Sequence, residues 1–139
     1  MSIEHLRIIV VDDSLGIRLL ARKIFQSLGY SDVEVVEDGF LALDRMQEEP
    51  FDLAVIDWSM PKMSGLELLE AIRANPALAE IPVLLVTGEE EPDEMMEALK
   101  AGADSYMTKP YDAPMLVERI ERIFEFRQAK ALRPPTPDF

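Results

Sequence analysis

Two adjacent aspartates, Asp12 and Asp13, close an apolar, β-branched run in the stretch RIIVVDDSLGIR, residues 7 to 18. A third, Asp57, closes FDLAVID; Thr87 ends IPVLLVT, and Lys109 follows SYMT. If these runs are parallel strands of one sheet, the five side chains arrive beyond the same edge, where open parallel sheets bind ligands. Carboxylates gathered there repel one another at low effective dielectric, which raises pKa values or splays the loops unless a cation compensates. All-oxygen ligation without His or Cys favours a hard ion, Mg²⁺ or Mn²⁺, and so few carboxylates leave coordination positions for water or phosphate oxygens. The set suits phosphate chemistry. Singly, each residue has a plainer role: helix N-cap for either aspartate, surface ammonium for Lys109, strand propensity for Thr87. Their convergence carries the reading.

The elements that must position them follow from the hydrophobic pattern. Runs of strand length recur at Leu6 to Val11, Val33 to Val36, Leu53 to Ile56, Val83 to Val86 and around Tyr106 and Met107. Between them lie segments with helical spacing, such as Ile17, Leu20, Ala21, Ile24 and Leu28, and later Leu116, Val117, Ile120, Ile123 and Phe124. Alternation of strand and helix predicts a five-stranded parallel sheet covered on both faces, a doubly wound α/β fold with right-handed crossovers. Continuous apolar strands fit burial on both faces. Ser14 and Ser64 are expected N-caps, Pro92 suits a first helical turn, and Gly29 and Gly102 suit helix ends. In the fourth helical segment, PDEMMEALKAGA, Leu99 is expected in the core stripe with Met96 exposed beside it; in the fifth, Arg119, Arg122 and Phe126 share the outer side.

Composition limits the function. With 139 residues, 48% of them hydrophobic, the chain has the size of one domain with a core. The folded unit is expected over 1–127, with 128–139, ending RPPTPDF, as a flexible proline-rich tail. No apolar run is long enough to span a bilayer, and MSIEHLR lacks the order of a signal peptide, so the expected location is the cytoplasm. Fourteen Lys and Arg against 27 Asp and Glu give a net charge of -13, which opposes binding to nucleic acid or anionic membrane. Cysteine is absent, which excludes disulfides and thiolate metal sites. His5, the single histidine, precedes the first strand and argues against a histidine phosphotransfer role.

Read together, VVDDS, EDGFLAL, VIDWSMPKMSGLELL, PVLLVTGE and AGADSYMTKPY resemble the receiver domain of two-component response regulators, from about Ile8 to Phe124. Within that family the chain is most similar to stand-alone chemotaxis regulators. The resemblance implies the flavodoxin-like (βα)5 fold with strand order 2-1-3-4-5. It implies that Asp57 is the phospho-acceptor for a histidine kinase. Asp13 and Asp57 would bind Mg²⁺ directly, Asp12 through water and Ser59 through its backbone carbonyl. Lys109 would pair with Asp57 at rest and with a phosphoryl oxygen afterwards, and Thr87 would donate to another such oxygen. The bond before Pro110 is expected to be cis, aiming Lys109 inward. As a switch, Thr87 would move toward the phosphoryl group and Tyr106 would fill the space it leaves, altering the surface of the fourth helix, fifth strand and fifth helix. Gly88 would keep the path beside Thr87 open.

Ser59 and Glu89 occupy positions that tune phosphoryl lifetime through water access. Ser64 stands where many relatives have Asp and should cap equally well. Tyr111 replaces the commoner Phe and would add a hydroxyl to the output face. The implied function is a monomeric, single-domain signalling module rather than an enzyme, binding a downstream protein such as a flagellar motor switch. The alternatives are a phosphorelay intermediate or a regulator of another signalling protein. A magnesium-dependent phosphatase with an aspartate nucleophile is disfavoured, since DDS lacks the D-x-D spacing after the first strand. A receiver fold used only as a scaffold would need none of the clustered charge.

Overall fold

The computed structural model describes residues 6–88 and 92–132, without the side chains of Pro92 and 129–132. Strands and helices alternate: β1 Arg7–Val11, α1 Leu15–Ser27, β2 Asp32–Val36, α2 Gly39–Glu48, β3 Leu53–Asp57, α3 Gly65–Ala74, β4 Val83–Thr87, α4 Pro92–Lys100, β5 Ser105–Thr108 and α5 Ala113–Leu132. The sheet runs β2-β1-β3-β4-β5, every pair parallel.

Successive strand residues point to opposite faces, so two cores form from one sheet. Ile8, Val10, Val55, Leu84, Val86 and Met107 pack against Ala21 and Phe25 of α1 and Leu116, Ile120 and Ile123 of α5. Ile9, Val11, Ala54, Ile56, Leu85 and Tyr106 pack against Ala42 and Met46 of α2, Leu68, Leu69 and Ile72 of α3, and Ala98 of α4. Every residue of β3 and β4 is buried, whereas edge strand β2 is only half-buried. Continuous apolar strands are thus required where both faces are covered.

The expected helix ends are present. Ser14 and Ser64 are N-caps, the latter in a reciprocal capping box with Glu67, and Gly29 and Gly102 have positive φ of 94° and 104°. Ser64 therefore does the work expected of the commoner Asp. Two stripe assignments are corrected. Leu20 is 51% exposed and Leu99 47% exposed. Each sits one residue, about 100° around the helix, from the buried alanine that faces the core, Ala21 or Ala98. Helix α5 stays helical through Leu132, past residue 127 where the folded unit was expected to end, and 133–139 and His5 lie outside the described residues. No helix among the described residues is long and apolar enough to cross a membrane.

Candidate functional site

The parallel register delivers the polar residues to one edge. Val11 pairs with Val36 and Ile56, so β1 and β3 end side by side, with Asp12 after Val11 and Asp57 after Ile56. Asp57 pairs with Val86, placing Thr87 one residue further along β4. Thr87 pairs with Thr108, and the Lys109 N–H donates to the Thr87 carbonyl at 2.7 Å, so Lys109 leaves β5 beside them. The Lys109–Pro110 peptide bond is cis, as expected.

Asp12, Asp57 and Thr87 are buried and Asp13 is exposed. Ligand oxygens of Asp12, Asp13 and Asp57 lie within 4.8 Å of one another. Lys109 Nζ bridges two of the three, at 2.9 Å from Asp12 Oδ2 and 3.0 Å from Asp57 Oδ1. Asp12 Oδ1 accepts from the Ser14 N–H at 2.9 Å, and the Asp12 carbonyl accepts from Arg18 Nη1 at 2.8 Å.

Burial is the largest influence on Asp57 and raises its pKa; the Lys109 hydrogen bond lowers it, and repulsion from Asp12 and then Asp13 raises it, for a net upward shift. Burial also dominates at Lys109, where it favours the neutral amine, yet hydrogen bonds and attraction from Asp12 and Asp57 together outweigh it and the pKa rises. These directions agree, because one ammonium bridging two of three clustered carboxylates stays charged while leaving the cluster negative. A cation with oxygen preference would balance that charge, and the all-oxygen donor set fits Mg²⁺.

Neighbouring loops hold Asp57 closely. The Trp58 N–H donates to the Val86 carbonyl at 2.7 Å, and the Gly65 N–H to the Trp58 carbonyl at 2.8 Å. A Cβ at Gly65 would stand 2.3 Å from the Asp57 carbonyl oxygen, so only glycine permits this approach. Gly65 was missed in the sequence, although it is a glycine opening a helix soon after the presumed nucleophile. Arg18 was missed too; one arginine on an amphipathic helix gives no signal. Asp38 caps α2 at the end of β2, with Lys62 Nζ 3.8 Å away.

Among the other expected residues, Ser59 is exposed two positions after Asp57. Glu89 lies outside the described residues. Among the described residues, a Cβ at Gly88 would meet nothing within 4 Å. Tyr106 is 8% exposed and turned into the α2–α4 core, with its carbonyl accepting from Arg119 Nε at 3.3 Å. Tyr111 departs from expectation. It is half-buried against the α1–α5 core and lines a 270 Å³ cavity with Ile17, Leu20, Lys109 and Pro110 instead of adding to the output face. Burial, then the Asp12 charge, raises its pKa.

A family model described as the response regulator receiver domain matches residues 8–121. The chemotaxis protein CheY of Pseudomonas aeruginosa is 40% identical over 120 residues, covering 86% of this chain and 97% of that protein. Chemotaxis protein CheY-3 of Vibrio cholerae is 36% identical over 122 residues, covering 88% and 94%. Among solved structures, Vibrio cholerae chemotaxis protein CheY4 aligns with a TM-score of 0.80 at 32% identity, over 85% of this chain and 98% of that one. A CheY-like receiver domain protein from Methanospirillum hungatei JF-1 gives 0.79 at 32% identity, over 89% and 98%.

Proposed function

The chain belongs to the response regulator receiver domain family and is a CheY-like response regulator; from that premise we propose that Asp57 is a phospho-acceptor whose modification controls protein binding. The observation that carries this reading is the position of Lys109 Nζ, 2.9 Å from Asp12 and 3.0 Å from Asp57, beside three carboxylates within 4.8 Å of one another. Asp12, Asp13, Asp57 and the Ser59 backbone carbonyl would hold Mg²⁺. Bound there, the ion supplies positive charge to the phosphoryl oxygens during transfer.

A carboxylate oxygen of Asp57 attacks the phosphorus of a kinase phosphohistidine. The O–P bond forms as the P–N bond breaks, and the imidazole leaves with its electron pair. Lys109, kept charged by its partners, then turns to a phosphoryl oxygen, and the Thr87 hydroxyl donates to another. The resulting mixed anhydride is open to water, with Ser59 and Glu89 governing access. Contacts made only with the phosphoryl group bias the packing of Thr87 and Tyr106 and so the α4–β5–α5 surface. That surface exposes Met95, Met96 and Leu99 on α4 and Phe126 on α5, apolar groups suited to a protein partner.

The protein acts in the cytoplasm, and its partners are a histidine kinase and a downstream protein. Similarity to chemotaxis proteins favours a flagellar motor target over a phosphorelay role. The protein acts as a monomer and turns over no substrate besides its own phosphoryl group. Trp58, half-buried beside Asp57, reports on the site. Its fluorescence is expected to change with Mg²⁺ and again with beryllofluoride, and to lose the second change in Asp57→Asn. A wild-type protein silent to both reagents, with no phosphate taken up from acetyl phosphate, would move the reading to a scaffold.

A further inference from the structure

Asp12 is held at every polar atom. Its N–H donates to the Val36 carbonyl at 3.1 Å, Oδ1 accepts from Ser14, Oδ2 from Lys109, and the carbonyl oxygen from Arg18 Nη1 at 2.8 Å. Asp13 is the opposite: its exposed side chain has no hydrogen-bond or ion-pair partner among the described residues. The direction of the Asp13 carboxylate is therefore governed by the backbone of the turn at 12–14. Among the described residues, the one side chain that donates to a backbone atom of this turn is Arg18, reaching back from the first turns of α1.

We infer that Arg18 is a positioning residue for the metal site: by holding the Asp12 carbonyl it fixes the Asp12–Asp13 peptide and with it the aim of Asp13. This rests on the magnesium-dependent reading above. Residues that orient metal ligands without touching the ion set affinity through geometry. As a cation beside an acidic pocket, Arg18 also repels a divalent ion, an effect of opposite sign that salt screens. The two contributions separate by ionic strength.

The test is a Mg²⁺ titration of the full chain, followed by Trp58 fluorescence, for wild type, Arg18→Met and Arg18→Lys at ~0.05 M and ~0.5 M KCl. Arg18→Met keeps the aliphatic stem but removes the donors. At the higher salt its Kd is expected to rise on the order of tenfold, with Arg18→Lys recovering part of the loss. At saturating Mg²⁺ the rate of phosphorylation by acetyl phosphate should return to the wild-type value, a split that general damage to the loop would not give. An unchanged or lower Kd for Arg18→Met at high salt overturns the inference while leaving the metal site standing. If Arg18→Met does not fold, Arg18→Lys decides, and a Kd equal to wild type overturns it. A wild-type chain that binds no Mg²⁺ overturns both the inference and the reading beneath it.

Discussion

Asp57→Asn removes one charge from a crowded cluster at nearly constant volume, and in metal-free buffer it should stabilise the fold. The ligand oxygens of Asp12, Asp13 and Asp57 lie within 4.8 Å of one another, so at an effective dielectric of ~20 each pair repels by at least about 3.5 kcal/mol. Lys109 Nζ, 3.0 Å from Asp57, returns about 5.5 kcal/mol on the same scale. Two repulsions exceed that one attraction by at least about 1.5 kcal/mol. Burial of the carboxylate adds to the difference, and screening at exposed Asp13 subtracts from it. The expected gain is about 1–2 kcal/mol, or ~3–6 °C in Tm for a chain of this size. Urea and thermal unfolding followed by circular dichroism in EDTA would measure it.

The pH dependence has a definite sign. Since folding raises the Asp57 pKa above its ordinary value of 3.8, the folded wild type holds this proton more tightly than the unfolded chain. The gap between variant and wild type is therefore full above the folded pKa and closes as pH falls toward the ordinary value. Mg²⁺ should reverse the order of stability, because binding adds RT ln(1 + [Mg²⁺]/Kd) to the wild type, about 2.7 kcal/mol at a hundredfold excess over Kd. An Asp57→Asn protein less stable than wild type in EDTA near neutral pH would refute the reasoning, by showing that the pair with Lys109 outweighs carboxylate crowding.

Other substitutions test the scaffold. Gly65→Ala drives a Cβ into the Asp57 carbonyl and the Trp58 Cα, at 2.3 and 2.9 Å, and should cost about 3 kcal/mol and slow phosphorylation, both read from a melt and an acetyl phosphate time course. The Tyr30 hydroxyl is buried with no hydrogen-bond partner among the described residues, so Tyr30→Phe is expected to be neutral or to stabilise by up to about 1 kcal/mol in urea unfolding. Asp104 accepts from Arg73 Nη2 at 3.0 Å, Arg127 Nε at 2.8 Å and the Val83 N–H at 2.8 Å. Asp104→Asn leaves two part-buried guanidinium groups short of a counter-charge and should cost about 2–4 kcal/mol in thermal unfolding, without changing phosphate uptake.

The strands were legible because burial on both sheet faces demands unbroken apolar runs such as LAVID and VLLVT. Asp12, Asp57, Thr87 and Lys109 were legible for a related reason: a polar residue ending such a run falls at the sheet edge. The helix stripes were less so. Leu20 and Leu99 fit a helical period, yet alanines one position away face the sheet, because closely packed helices favour a small residue at the contact and hydrophobicity alone does not choose between neighbours. Tyr111 could be assigned to a surface only once the turn after Pro110 placed it against α1. Arg18 and Gly65 matter through a single backbone approach each, and neither leaves a periodic or compositional trace.

The central claim, that Asp57 is the phospho-acceptor of this site, is tested most directly by intact-mass analysis after incubation with acetyl phosphate and Mg²⁺, followed by borohydride trapping and peptide mapping. A single phosphoryl group should appear on the wild-type chain, depend on Mg²⁺, map to the peptide containing Asp57 and vanish in Asp57→Asn. No adduct on a folded, Mg²⁺-loaded wild type, or an equal adduct on Asp57→Asn, would contradict the assignment.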